Sequence, residues 1–333
     1  MTASATAQNR AMELTAISEA VPSVKWQQRF TTLWPRYRAW YLRDALDARP
    51  SFAECRGALR THMPELLPVF EQLSALSGED EIAWRFLSQY RPPSVITGCS
   101  IAVAPTAEPI LVRNYDFTPS FFEGTVLLSR WVGHHGRVVA TSEALSGVLD
   151  GMNEAGLVVA LTFGGRQAHG DGFGIPILLR YVLECCATTA EAVSALRRLP
   201  CAMVQNVLIL DRSGDYVVVY LSPDRETIVR RLPITTNHQC AVEWPEAARF
   251  NQTLQRAAAL ESLLTAPGTS VKAFVEAFHR PPLYRTDYLE GLGTLYTAIY
   301  YAAQGTLEYL WPGRPAWAQS FDIFEESARA LPV

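Results

Sequence analysis

The sequence predicts an α+β protein with helical layers packed outside antiparallel sheets. Helical periodicity fills residues 22–90, whereas short apolar runs bounded by turn signals begin at residue 99. Helices then return only in blocks, at 176–186, 189–198, 245–264 and 270–279, instead of alternating singly with strands as a parallel fold requires. With 333 residues, 49% of them hydrophobic and 19% charged, the chain can bury a large core in one or two domains.

In "VKWQQRFTTLWPRYRAWYLRDAL", Trp26, Phe30, Leu33, Tyr37, Trp40 and Tyr41 recur at helical spacing. Pro35 is expected to kink or divide that helix. "SFAECRGALRTHMPELLPVFEQLSAL" predicts one or two further helices, with Ser51 as N-cap and Glu54 three residues on. "SGEDEIAWRFLSQY" predicts another. Trp26, Trp34, Trp40 and Trp84 give this segment enough aromatic area to dock onto something. Beyond "RPPS", strands are expected at 99–104, 109–114, 125–131, 137–142, 156–163, 204–210, 215–220, 226–231 and 293–301. The turn signals are "APTAEP", "GHHG", "DGMNEAG" and "DRSGD". Within "DGMNEAG", Gly151, Asn153 and Gly156 are expected to supply left-handed turn positions.

A net charge of −4 offers no basic footprint for nucleic acid. No run approaches the roughly 18 apolar residues of a membrane span, and "MTASATAQNRAMELTAISEA" does not read as a signal peptide. Six cysteines without repeated spacing make no disulfide framework, so reducing cytoplasm is the expected compartment. The six histidines show no metal spacing, and neither a metal nor another cofactor is expected.

One thiol stands apart. A cysteine in an apolar strand is more often simply buried, and that reading is kept for Cys55, Cys185, Cys186, Cys201 and Cys240. Cys99 instead follows Gly98 at the junction of the helical and strand-rich regions, just after Pro92-Pro93. The local signatures of papain-like and caspase-like proteases are absent, and no histidine partner is evident. A cysteine that becomes its own chain terminus would solve this, because its freed α-amine can act as base.

"GCS" opening a strand, "VRNYDF" closing the next, "GMNEAGLVVA" and then "TTN" resemble the N-terminal-nucleophile cysteine hydrolases. The match is to the acyl-CoA:6-aminopenicillanic acid acyltransferase family, with the choloylglycine hydrolase and penicillin V acylase branch more distant. The resemblance implies a four-layer αββα sandwich with a helical N-terminal pro-segment. It also implies a precursor cut between Gly98 and Cys99, whose two parts, 1–98 and 99–333, stay together.

The resemblance further implies roles for individual residues. Cys99 is the nucleophile, Asp116 holds and orients the α-ammonium, and Arg113 steadies the thiolate and the substrate carbonyl region. Asn237 is the oxyanion-hole donor. Tyr115, Thr162, Phe163 and Arg249 are expected around the substrate pocket; Trp131 and the pro-segment are further candidates for its walls. Thr162 stands where the bile-salt branch prefers asparagine and penicillin V acylases prefer tyrosine, so neither substrate is expected.

The leading expectation is a self-processing amidohydrolase for an N-acyl amine or N-acyl amino acid. An N-acyltransferase drawing on a CoA or carrier-protein thioester shares the same intermediate. The third alternative is an uncut, non-catalytic binding protein.

Overall fold

The structure, a computed structural model, describes residues 12–94, 98–104, 106, 108–266 and 268–332. Residues 95–97, part of the expected cleavable joint, lie outside the described residues. Strand β1 (Glu13–Ser18) precedes helices α1 (Val24–Tyr41), α2 (Phe52–His62), α3 (Leu67–Leu76) and α4 (Glu81–Leu87). Six strands follow: β2 (Gly98–Ala104), β3 (Ile110–Phe117), β4 (Thr125–Ser129), β5 (Val138–Glu143), β6 (Gly147–Asn153) and β7 (Val158–Phe163). After α5 (Ile175–Cys185) and α6 (Thr189–Arg198) come β8 (Gln205–Leu210), β9 (Tyr216–Leu221), β10 (Ile228–Arg230) and β11 (Ile234–Thr235). Helices α7 (Pro245–Phe250), α8 (Thr253–Thr265) and α9 (Val271–Ala277) lead to β12 (Thr286–Asp287), β13 (Leu292–Tyr301), β14 (Thr306–Leu310), β15 (Trp317–Ser320) and β16 (Ala328–Ala330).

These strands form two sheets. One has nine strands in the order β10-β9-β8-β7-β6-β5-β4-β1-β16; the other has seven, with β11-β2-β3-β13-β14-β15 in line and β12 on β13. Their inner faces meet, since Thr141 on β5 hydrogen-bonds Tyr309 on β14 at 2.8 Å. Helices α5 and α6 cover the outer face of the larger sheet, and α8 covers β2 and β11 of the smaller. The fold is therefore a four-layer αββα sandwich. The strands between these layers are buried on both faces and read as continuous apolar runs instead of alternating ones.

Several elements differ from the sequence reading. β6 occupies the stretch read as a turn: Gly156 alone of its two glycines takes positive φ, at 87°, while Gly151 lies in the strand. A Cβ at Gly151 would stand 2.8 Å from the carbonyl oxygen of Val139, so the glycine serves a close strand approach. β1 was not expected; it runs parallel to β4, so the sheets are not wholly antiparallel. Pro35 sits inside an unbroken α1. Conversely, the expected helix 245–264 is divided at Asn251–Gln252, where Gln252 is left-handed with φ 53°. The Ser51–Glu54 capping box forms as read: Ser51 Oγ accepts from Glu54 N at 3.3 Å and Glu54 accepts from Ser51 N at 2.8 Å.

The N-terminal helices dock through α1. Trp26, Phe30, Trp34, Tyr37 and Tyr41 form its buried stripe. The Trp26 indole donates to Leu145 O at 2.8 Å, and Arg29 pairs with the buried Glu123. No helix among the described residues is long and apolar enough to cross a membrane.

Candidate active site

β2 and β3 are antiparallel neighbours with Gly98 opposite Asp116, Cys99 opposite Tyr115 and Ile101 opposite Arg113. Alternation along β3 sends Arg113 and Tyr115 to one face and Asn114 to the other. Accordingly, Arg113 Nη2 donates to Cys99 Sγ at 3.4 Å, while Asn114 Nδ2 caps Phe278 O at 2.7 Å and Leu283 O at 2.9 Å. Cys99 is fully buried. Burial pushes its thiol above the ordinary range, with Arg113 opposing and Asp116 reinforcing that shift.

Arg113 is set by Asp150, which lies in β6 although "DGMNEAG" reads as a turn. The Asp150 carboxylate pairs with Arg113 and accepts from Thr141 at 3.0 Å, from Tyr296 at 2.5 Å and from Tyr300. Arg113 also donates to Leu149 O at 2.6 Å, and its guanidinium lies 4.9 Å over the Tyr115 ring. Burial pulls the pKa of this arginine down, but Asp150 and its neighbours outweigh that pull and hold it well above the usual value.

The backbone of Cys99 is engaged as fully as its sulfur. Its N–H donates to Asn237 Oδ1 at 3.0 Å, and its carbonyl accepts from Arg256. Arg256, wholly buried on α8, also donates to Ser100 Oγ at 2.9 Å and to Asn237 Oδ1. A guanidinium can only donate, so this contact fixes which end of the Asn237 amide is oxygen. Asn237 Nδ2 points to Phe163 O at 3.3 Å, and its backbone N donates to Thr253 Oγ1 at 2.7 Å. Asp116 takes Thr294 Oγ1 on Oδ1 at 2.7 Å, while its Oδ2 has no hydrogen-bond partner among the described residues and lies 4.0 Å from Arg256. Burial raises the Asp116 carboxyl above its ordinary value, with Arg256 and Thr294 pulling the other way.

Cys99, Arg113, Asp116 and Asn237 thus converge, and Tyr115 forms part of the wall of an adjoining cavity of about 280 Å³. The N-terminal helices contribute to that wall through Tyr37, Trp40 and Phe86, and the joint does so through Pro92, Pro93 and Ser94. Three expected pocket residues lie outside the lining of this cavity. Thr162 faces the sandwich interior and donates to Thr236 O at 2.7 Å, away from the cavity lining. Phe163 contributes its carbonyl to Asn237 instead of its ring to the cavity, where Leu161 stands. Arg249 lies on the surface and pairs with Glu246 at 3.3 Å. Trp131 is likewise outside the lining and stacks under Arg180 at 4.3 Å.

A model of the family described as acyl-coenzyme A:6-aminopenicillanic acid acyl-transferase matches residues 103–316, well over half of the chain. The chain belongs to this family. As a member of the acyltransferase family it is an enzyme of amide chemistry, a hydrolase or an acyltransferase. The matched stretch carries Arg113, Asp116, Asp150, Asn237 and Arg256, with Cys99 just ahead of it. Penicillin V acylase from Agrobacterium tumefaciens is 15% identical, covering 69% of this chain and 90% of its own, with a TM-score of 0.45. A Caenorhabditis elegans N-acylethanolamine-hydrolyzing acid amidase ortholog is 18% identical, covering 71% of this chain and 100% of its own, at a TM-score of 0.48. A mutant of conjugated bile acid hydrolase from Clostridium perfringens is 13% identical, covering 70% of this chain and 95% of its own, at a TM-score of 0.43. No curated protein sequence matches the chain.

In this family member the Asn237 segment leans on a glycine. Gly165 has φ 76°, and a Cβ there would press on the carbonyl oxygen of Asn237. Gly165→Ala is expected to cost about 1–3 kcal/mol of stability. It should also slow the chemistry by displacing Asn237, to be read from thermal unfolding and turnover of the same preparation.

Proposed function

We propose that this protein is a self-processing amidohydrolase that cleaves linear N-acyl amides through an acyl-thioester on Cys99. The reading is carried by one observation: sulfur, nitrogen and carbonyl oxygen of Cys99 each meet a separate buried polar side chain, Arg113, Asn237 and Arg256 respectively. A merely structural cysteine has no need of such an arrangement around its peptide nitrogen.

In the precursor, Cys99 Sγ attacks the Gly98 carbonyl carbon. The C–N bond breaks as the Cys99 nitrogen takes up a proton, and water hydrolyses the resulting thioester to a Gly98 carboxylate and free thiol. The new α-ammonium is the donor that Asp116 Oδ2 lacks. An α-amine titrates at about 7.7–8.0, so it can take the thiol proton near neutral pH and return it to the leaving amine. The thiolate, steadied by Arg113, attacks the substrate amide. Asn237 Nδ2, released from its long contact with Phe163, donates to the developing oxyanion, a contribution of about 100- to 1,000-fold. Water then frees the acid. The N-terminal part stays bound after the cut, because β1 is hydrogen-bonded between β4 and β16.

Transfer of the acyl group to a second amine is the alternative, favoured by the description of the matched family. The deciding experiment supplies a simple N-acyl amide with no thioester donor. Release of amine, with a transient acyl mass on the fragment that begins at Cys99, supports hydrolysis; turnover only when a second amine is present supports transfer. Neither species would appear if the sulfur were a bystander.

Self-cutting should also depend on pH in a definite direction. In the uncut chain the Cys99 nitrogen is an amide and no base, and burial holds the Cys99 thiol above its ordinary value. Thiolate is therefore scarce at neutrality, and the cutting rate should climb between about pH 6 and 9, by up to about tenfold per unit. A time course of intact mass would check this, and a rate that is level or falling with pH would contradict it.

A further inference from the structure

The hairpin turn between β5 and β6 is strained and held in place by the N-terminal part. Ala144 and Leu145 both take left-handed backbone, at φ 52° and 64°, which a β-carbon disfavours. Such a turn persists only where its surroundings fix it. Ala144 N–H donates to Tyr37 Oη at 3.1 Å, Leu145 N–H to Glu123 Oε2 at 2.8 Å, and the Trp26 indole to Leu145 O at 2.8 Å. Trp26 and Tyr37 belong to α1. Glu143 and Ala144 line the cavity, and β6 leaves the turn carrying Leu149 and Asp150, the two groups that hold Arg113.

This arrangement is one proton short unless Glu143 supplies it. Tyr37 Oη lies 2.7 Å from Glu143 Oε1 and 3.0 Å from Glu123 Oε2, besides accepting from Ala144. One hydroxyl hydrogen can serve only one of two carboxylates. Glu123 is the partner of Arg29, and its Oε2 already accepts from Leu145, so it is the anion that takes the tyrosine hydrogen. A neutral Glu143 then donates its own proton to Tyr37 Oη, which makes two acceptances and one donation.

We propose that Glu143 is a positioning residue, the neutral acid that keeps the β5–β6 turn docked on α1 and so preserves the cavity wall and the support of Arg113. Its loss of a proton sets two like charges around one hydroxyl and loosens the turn. The effect on substrate rests on the amide-cleaving reading above. No neighbouring cation is free to compensate: Arg29 pairs with Glu123, Arg113 pairs with Asp150, and Arg36 donates to Ser120 O at 3.0 Å and Phe122 O at 3.2 Å. Burial, and then the charge of Glu123, push the Glu143 carboxyl up to about 8, against the pull of Tyr37, Arg36 and the Ala144 N–H. Tyr37 and Tyr115 are held well above their ordinary values, chiefly by burial, so both stay neutral while Glu143 titrates.

The test sets wild type beside Glu143→Gln, whose amide keeps a donor for Tyr37 and has no charge to gain. Infrared difference spectra at about pH 7 should show the carbonyl band of a protonated carboxyl in wild type that the Gln variant lacks. An unfolded glutamate titrates at about 4.3, so the folded chain binds this proton more tightly. Wild-type urea midpoints should therefore fall as pH rises from about 4.5 to 8, a slope absent from the Gln variant. With octanoic anilide as substrate, wild-type KM should rise about tenfold between about pH 7 and 9.5, while that of the Gln variant stays level. Glu143→Ala should raise KM already at pH 7. A missing acid band, a level wild-type KM, an equal rise in the Gln variant or an unchanged KM in the Ala variant would overturn the proposal. If the anilide is not turned over, the amide-cleaving reading fails separately, and the infrared band and the urea midpoints still decide whether Glu143 holds its proton.

Discussion

Replacing Cys99 by alanine is expected to leave one chain of 333 residues, where wild type yields fragments 1–98 and 99–333, and to abolish amide turnover. The loss should be on the order of a million-fold, the scale seen when a nucleophile that acts as part of a unit is removed. Two functions vanish together because both use the same sulfur: without it no thioester forms at Gly98, and without the cut no α-amine exists to serve as base. Truncation to alanine removes a single buried atom from β2, so the fold should persist and the uncut chain should be purifiable. Intact-mass analysis of the two proteins side by side reads the outcome directly. An alanine variant cut at the same bond, or an active wild type with an unbroken backbone there, would refute the mechanism.

Removing the cation beside the sulfur should damage both stability and chemistry. Arg113 and Asp150 form a wholly buried pair, and Asp150 gathers Thr141, Tyr296 and Tyr300 around the same carboxylate. Arg113→Met would strand that carboxylate, at a cost of about 3–5 kcal/mol. It would also leave the Cys99 thiolate without its only cationic donor among the described residues. Adding Asp150→Asn removes the stranded charge while keeping an acceptor for the tyrosines, so the double variant should recover much of the stability. It should not recover cutting or turnover, because the thiolate remains unsupported. Urea unfolding midpoints separate the two effects. A single variant that loses less than about 1 kcal/mol, or a double variant that cuts itself, would show that Arg113 does not have this double duty.

The main features of the layer scheme were legible along the chain because they are local. Helical spacing of aromatics in α1, the Ser51–Glu54 box and the short apolar runs report nearest-neighbour geometry. Cys99, Arg113 and Asp116 are reached through the resemblance that "GCS" and "RNYD" carry, and the hairpin of the two strands brings them together. What the chain did not disclose depends on partners remote in sequence. Asp150 reads as the start of an Asp-Gly turn, and only the close approach of β5 explains why Gly151 lies within a strand. β1 takes its place from β4 and β16, both remote from it in sequence.

The two arginines after Trp244 make the division plainest. On one continuous helix, Arg249 and Arg256 stand seven residues apart and would share a face, so periodicity cannot choose between them. The left-handed Gln252 breaks that helix, leaving Arg249 in solvent on α7 and turning Arg256 on α8 into the core beside Cys99. Local spacing and the family resemblance together thus singled out Cys99 as the proposed nucleophile, with its hairpin neighbours and the expected layers. Which buried charges complete the site was decided by chain reversals and sheet packing, because a buried guanidinium or carboxylate is tolerated only where distant segments supply its partners.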